Sequence, residues 1–287
     1  MEIYNEIIAP VIEELVHDYS SSENVEISYV YDRIRKVIPK VIEEYFSGQR
    51  PQIDYSNFFV RIGYLHRLVP GLVYNFRNLV KKAIELGYFK ERIIDIMVFG
   101  GGPGTELLAV STVLKGKDIN FCLTDKVQSW ADCWDYLKTK IKERLPDAQI
   151  SIDHSFLKID ITDINDFYEN KIRLCKNKYF FINYLISELY DNTNGFIEFL
   201  RAIIEYKRKR DESVVILLAD RSQSEIEEEI ERIKEDLKLD QKYFNIVFEG
   251  CPEDFDLNLE LIRKLDFPKR TPFNSIQYIF ESYLLPF

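Results

Sequence analysis

From residue 93 onward the sequence alternates short, almost uninterrupted apolar runs with longer amphipathic stretches, and this restricts the fold more than any other feature. The runs are Ile93–Phe99 (IIDIMVF), Ile119–Thr124 (INFCLT), Tyr179–Tyr184 (YFFINY) and Val214–Ala219 (VVILLA), with Ile150–Ser155 a weaker one. A strand buried on one face alternates apolar with polar residues. A continuous run suits a strand buried on both faces, as in a parallel sheet covered by helices. Helical periodicity fills the intervals at Glu106–Lys115, Val127–Leu145, Asp163–Leu174, Gly195–Arg210 and Gln223–Leu237. The pattern predicts an α/β fold with a doubly wound, mostly parallel sheet and right-handed crossovers. Tyr243–Glu249 and Ser275–Ser282 are predicted as two last strands with no crossover helix of ordinary length between them.

The first ~90 residues read as all-helical, on apolar spacing. Ile3, Ile7, Ile8, Val11, Ile12 and Leu15 share one face of a first helix, and a polar break at Ser20–Asn24 should end it. Helical patterns return over Glu26–Phe46 and over Tyr55–Leu86, the latter with an expected break at Pro70-Gly71. The expected organisation is therefore a helical cap over residues 1–90 and an α/β domain over 91–287.

Composition narrows the function classes. With 46% hydrophobic and 30% charged residues the chain is of ordinary globular type, neither disordered nor fibrous. Lys and Arg number 38 against 48 Asp and Glu, a net charge of −10, which argues against a sequence-wide electrostatic footprint for nucleic acid. The basic clusters Lys138–Arg144 and Lys207–Arg210 are best explained as solvated helix faces. Cys122, Cys133, Cys175 and Cys251 form no C-x-x-C pair, so neither a zinc site nor a disulfide scaffold is expected. The amino terminus mixes acids into its apolar pattern, unlike a signal peptide, and no run reaches 18 apolar residues. A cytoplasmic protein with no membrane span is expected.

The most informative local motif follows the first predicted strand: Gly100-Gly101-Gly102-Pro103-Gly104-Thr105-Glu106, opening a helix. Residues without a Cβ let the backbone approach a ligand, and the helix amino terminus then offers free N–H groups to an anionic part of it. The carboxyl end of the first strand is also where open α/β sheets place their ligand crevice. A P-loop would need Lys-Ser or Lys-Thr after the last glycine, and none is present. The dinucleotide fingerprint G-x-G-x-x-G/A fits Gly100 and Gly102 but meets Thr105 at its third small position. The spacing at Gly100, Gly102 and Gly104 is G-x-G-x-G.

That spacing resembles the class I S-adenosylmethionine-dependent methyltransferases, and further residues are similar to that superfamily in the expected order over Arg92–Phe287. Asp125 ends the second strand, where the resemblance implies a carboxylate accepting from both ribose hydroxyls. Asp160 follows the third strand, where an acid often takes the adenine amino group. The resemblance implies Gly100, Gly101, Gly102, Gly104, Glu106, Asp125, Lys126, Trp130, Asp160 and Ile161 as cofactor-binding residues. It also implies a seven-stranded Rossmann-like sheet ending in an antiparallel strand beside the sixth. Asn183, Tyr184 and Glu188, in the segment after the fourth strand, fall nearest the expected methyl-transfer position, with Tyr64 and His66 as contributions from the cap. The superfamily often places an acid two positions before the first glycine, and here that residue is Val98.

Simpler explanations stand beside these roles. Asp125, Asp160 or Asp163 could cap helices, Glu106 gains from a helix dipole wherever it points, and Trp130 and Trp134 could serve packing alone. His17 and His154 are weaker candidates for a base than His66. The resemblance implies a methyltransferase whose acceptor is not legible. A small molecule or protein is favoured over nucleic acid, because [DN]-P-P-[YF] is replaced by Asn183-Tyr184-Leu185-Ile186. A catalytically silent binding module, suggested by Val98, and an NAD- or FAD-dependent oxidoreductase are the alternatives.

Overall fold

The computed structural model describes residues 3–46, 52–145, 150–151, 156–189, 192–248, 261, 264–265 and 274–282. A π-helical turn at Tyr4–Ile8 leads into α1 (Ala9–Glu23), followed by α2 (Ile27–Phe46), α3 (Phe58–Arg67) and α4 (Val69–Glu85). Two boundaries differ from expectation. α1 runs through the serines, because Ser20 is buried and its hydroxyl donates to the Val25 carbonyl, and the helix ends at Asn24 in the left-handed conformation. The later break falls at Leu68, since Pro70 occupies the first turn of α4, where a missing N–H leaves no intrahelical bond unmade.

The sheet region follows the predicted alternation: β1 (Ile93–Phe99), α5 (Thr105–Ser111), β2 (Asp118–Asp125), α6 (Trp130–Arg144), β3 (Ile150–Ser151) and β4 (Leu157–Lys158). Next come α7 (Ile164–Cys175), β5 (Tyr179–Asn183), the short α8 (Ile186–Leu189), α9 (Thr193–Arg208) and β6 (Val215–Arg221). The last elements are α10 (Ser224–Leu237), β7 (Leu239–Phe248) and β8 (Asn274–Ser282). Of the weak run at Ile150–Ser155, residues 152–155, and with them His154, lie outside the described residues, as does Cys251.

The strand order is β3-β2-β1-β5-β6-β8-β7. β3 pairs with Ile119–Asn120 and β4 with Thr124–Asp125, so two short strands share one edge and the sheet has seven positions. All pairings are parallel except those of β8, which runs antiparallel between β6 and β7. This is the inserted antiparallel strand that the resemblance implies, and the chain has the Rossmann-like sheet of the class I methyltransferase fold.

Successive strand residues feed two cores, which explains the continuous apolar runs. Ile94, Ile96 and Val98 of β1 and Val215, Leu217 and Ala219 of β6 join one cluster with α4, α5, α6 and the amino-terminal helices. Met97, Phe99, Ile216 and Leu218 join the other, with α7, α9 and α10. The apolar cluster on the first face is continuous from α1 through α4 to the sheet, so the amino-terminal helices are packed against the layer that carries the glycine loop. Among the described residues no helix is long and apolar enough to cross a membrane.

Candidate functional site

The strand order reverses between β1 and β5, and the crevice at such a switch point is where an open α/β sheet binds its ligands. A cavity of about 170 Å³ opens there, at the carboxyl ends of β1, β2, β4 and β5. Its wall carries Gly100, Gly101, Gly102, Glu106, Asp125, Lys126, Trp130, Asp160 and Ile161. Asn183 and Glu188 close it from the β5 side, and Tyr55 and Tyr64 from the amino-terminal segment.

The glycine loop is built by main-chain and carboxylate bonds. Gly101 N donates to the Thr124 carbonyl at 3.0 Å, and Gly102 N to Asp125 Oδ2 at 2.9 Å. The other oxygen of Asp125 accepts from Val127 N at 2.8 Å. Gly102 sits at φ +48 and Gly104 at φ +94, and a Cβ on Gly104 would lie 2.6 Å from the Trp134 ring. Gly104 thus does not line the cavity; it turns the chain into α5 against Trp134.

Electrostatics in the cavity are dominated by acids with little compensation. Burial pushes Asp125 up to about 6, against the pull of its bonds from Val127 and Gly102. Burial likewise pushes Glu106 up to about 7 and Glu188 up to about 7, with repulsion from Asp125 adding to each. The Asn183 amide faces Glu106 and offsets part of its rise. Yet Glu106 Oε2 and both amide atoms of Asn183 have no hydrogen-bond partner among the described residues, although both side chains are more than nine-tenths buried. Leaving buried polar atoms unpaired costs roughly 1–3 kcal/mol each, so such a cluster facing a cavity points to a ligand that completes it.

Glu188 differs in having a partner: Tyr55 Oη donates to its Oε1 at 2.8 Å. Tyr55 is fixed from behind, where its carbonyl accepts from Arg61 Nη1 at 3.0 Å and Ser129 Oγ at 3.1 Å. Asp160 holds its own turn by accepting from Thr162 N and Oγ1, while Asp163 caps α7. Lys126 stands exposed at the rim and Ile161 is buried in the wall.

Two expected acceptor-side residues lie elsewhere. Tyr184 leaves β5 at φ +57, so its ring turns beneath α4, where its hydroxyl accepts from Asn75 Nδ2 at 3.2 Å. His66 is fully buried with its Nδ1 2.5 Å from Tyr4 Oη, away from the cavity. Tyr55 was not singled out by sequence; its only signal was the density of aromatic residues over residues 55–67. Among the described residues no group of three or more His, Cys, Asp or Glu side chains is arranged to hold a metal ion.

No protein-family model matches the chain, and no curated protein sequence matches it. Solved structures do align with it. An S-adenosylmethionine-dependent methyltransferase from Aquifex aeolicus is 17% identical over 75% of this chain and 97% of its own, with a TM-score of 0.42. The plantazolicin methyltransferase BpumL, solved with S-adenosylhomocysteine, is 14% identical over 89% of this chain and 100% of its own, TM-score 0.43. An S-adenosylmethionine-dependent methyltransferase from Leishmania major is 9% identical over 92% and 90%, TM-score 0.41. The fold assignment rests on the strand order and the antiparallel β8 rather than on these similarities.

Proposed function

We propose that the cavity binds S-adenosylmethionine and that the protein transfers its methyl group to an acceptor. The observation that carries this reading is the joint placement, in one cavity at the switch point, of the Asp125-clamped glycine loop and of the buried Glu106 and Asn183, whose Oε2 and amide atoms lack hydrogen-bond partners among the described residues. When bound, the cofactor supplies a methyl group on a positively charged sulfur, already activated for attack. The protein's work is to hold, orient and exclude water.

Asp125 keeps lone pairs beyond those taken by Gly102 and Val127, and they serve the ribose hydroxyls. Lys126, Asp160 and Ile161 frame the adenine. Glu106 takes the methionine amino group, with Asn183 beside it. This answers the absence of an acid at Val98, which is fully buried beneath Gly101. The carboxylate comes from the first turn of α5 instead of from β1. Its ionised form is favoured by an incoming ammonium, since an opposite charge close by lowers a carboxyl pKa.

The acid-rich surroundings favour a small-molecule or protein acceptor over nucleic acid. Isothermal titration with S-adenosylhomocysteine tests the reading, with NAD as the comparison ligand. Micromolar binding of S-adenosylhomocysteine alone is expected. Binding of neither ligand, or of NAD in preference, overturns it.

A further inference from the structure

The cavity carries an aromatic cluster that the cofactor roles proposed above leave unassigned, including Trp130, expected from sequence among the cofactor residues and packed beside Gly102. Tyr55, Tyr64 and Trp130 all line it, and their ring centroids form a nearly equilateral triangle with sides of 5.5 Å (Tyr55–Tyr64), 5.6 Å (Tyr64–Trp130) and 5.4 Å (Tyr55–Trp130). Interplanar angles of 90°, 62° and 44° set the rings edge-to-face or tilted against one another rather than in a stack. A centre held about 3 Å above such a triangle is within ~4.5 Å of all three centroids, inside the ~6 Å range of cation–π attraction. Glu188, hydrogen-bonded to Tyr55, closes the same space with an acid whose second oxygen is not used by Tyr55.

We propose that the methyl acceptor is an aliphatic amine, received as its ammonium form by the Tyr55–Tyr64–Trp130 rings and Glu188. This rests on the methyltransferase reading above and names its substrate class. Charge supports a cation: Glu106, Asp125, Asp160 and Glu188 line the cavity, and Lys126 is the one Lys or Arg among its lining residues. Two further cations lie close by: Arg61, which donates to the Tyr55 carbonyl, and the buried Arg221, which stacks over the Tyr45 ring at 4.2 Å and whose charge reaches Glu188, but neither lines the cavity. The chemistry balances. Glu188 takes a proton from the ammonium, and the freed nitrogen lone pair forms the N–CH3 bond. The S–CH3 bond breaks with its electron pair remaining on sulfur, giving S-adenosylhomocysteine, and the methylated amine leaves as a cation.

The test uses the full chain saturated with S-adenosylhomocysteine, titrated with isopropylamine at pH 8, where that probe is an ammonium, and with isopropanol as a neutral probe of the same shape. Isopropylammonium is expected to bind at least tenfold more tightly than isopropanol. Tyr64→Leu should reduce that preference roughly fivefold, on the scale of a lost cation–π contact. Glu188→Gln should reduce it further. Equal binding of the two probes, or binding of isobutyrate instead, overturns the amine proposal while leaving the methyltransferase reading intact. Much tighter binding of S-adenosylmethionine than of S-adenosylhomocysteine, without any ammonium binding, overturns it too by assigning the rings to the sulfonium. Failure of S-adenosylhomocysteine to bind at all overturns both.

Discussion

Asp125 ties Gly102 to the end of β2: the glycine's main-chain N–H donates to Oδ2 at 2.9 Å while Val127 N–H occupies Oδ1. One carboxylate therefore orders the loop after β1, orders the turn before α6, and still faces the cavity. A residue read from sequence as a ligand contact is equally the clamp that gives the glycine loop its shape.

Substituting Asp125 tests both roles at once. Asp125→Asn keeps the shape and one acceptor but brings an NH2 group against an N–H donor. S-Adenosylhomocysteine affinity should fall roughly 10- to 100-fold, the scale of one or two charge-assisted hydrogen bonds. Titration calorimetry on the folded variant reads this directly. Unchanged affinity would remove Asp125 from the binding site.

The raised carboxyl groups predict how stability depends on pH. In the unfolded chain these acids titrate near ~4. In the folded chain burial holds Asp125 near 6 and Glu106 and Glu188 near 7. Between those limits the folded state binds more protons than the unfolded one, so stability falls as pH rises. Without ligand, the protein should resist urea better at pH 5 than at pH 8. Glu106→Gln should flatten that slope and raise Tm by about 2 °C, as for ~1 kcal/mol in a domain of this size, while weakening S-adenosylhomocysteine binding at least tenfold. Ligand binding near pH 6.5 should release protons, seen as a dependence of the measured heat on the buffer's ionisation enthalpy.

Tyr184 lies one residue from Asn183 yet should behave as a structural residue. Its hydroxyl accepts from Asn75, whose main-chain carbonyl accepts from Gln277 Nε2 at 2.9 Å, so β5, α4 and β8 are joined by a buried polar chain. Tyr184→Phe leaves the Asn75 amide short of an acceptor and should cost ~1 kcal/mol in denaturant unfolding. S-Adenosylhomocysteine affinity should not change. A loss of affinity with stability intact would return Tyr184 to the site.

The sheet was legible because burial on both faces leaves a signature in composition as well as in periodicity. Ile94, Ile96 and Val98 pack one way while Met97 and Phe99 pack the other, and the one polar residue of β1, Asp95, is half-buried and accepts from Asn120 Nδ2 of β2 at 2.8 Å. Gly102 and Asp125 were legible because a tight turn and a strand-end carboxylate have few substitutes. The orientation of side chains after β5 was not. Asn183 and Tyr184 are adjacent, and only the left-handed backbone at Tyr184 sends one to the cavity and the other beneath α4. Tyr55 reaches Glu188 across 133 positions of sequence, a pairing that no local pattern encodes.

The glycine loop offers a comparison that separates backbone strain from packing. Gly104 and Gly116 both have positive φ, +94 and +70, but a Cβ on Gly104 would meet the Trp134 ring at 2.6 Å whereas nothing lies within 4 Å of one on Gly116. Gly116→Ala should therefore cost only the left-handed conformation, ~1 kcal/mol. Gly104→Ala adds overpacking against a fully buried indole that also stacks on Phe121, for a total of ~3 kcal/mol. Chemical denaturation of the two variants should show that difference. Since Gly104 is the N-cap of α5, only the Gly104 variant should also lose S-adenosylhomocysteine affinity, because a shift of this helix carries Glu106 with it. Equal destabilisation by the two substitutions would mean that Trp134 moves aside freely and that the loop is not held by that contact.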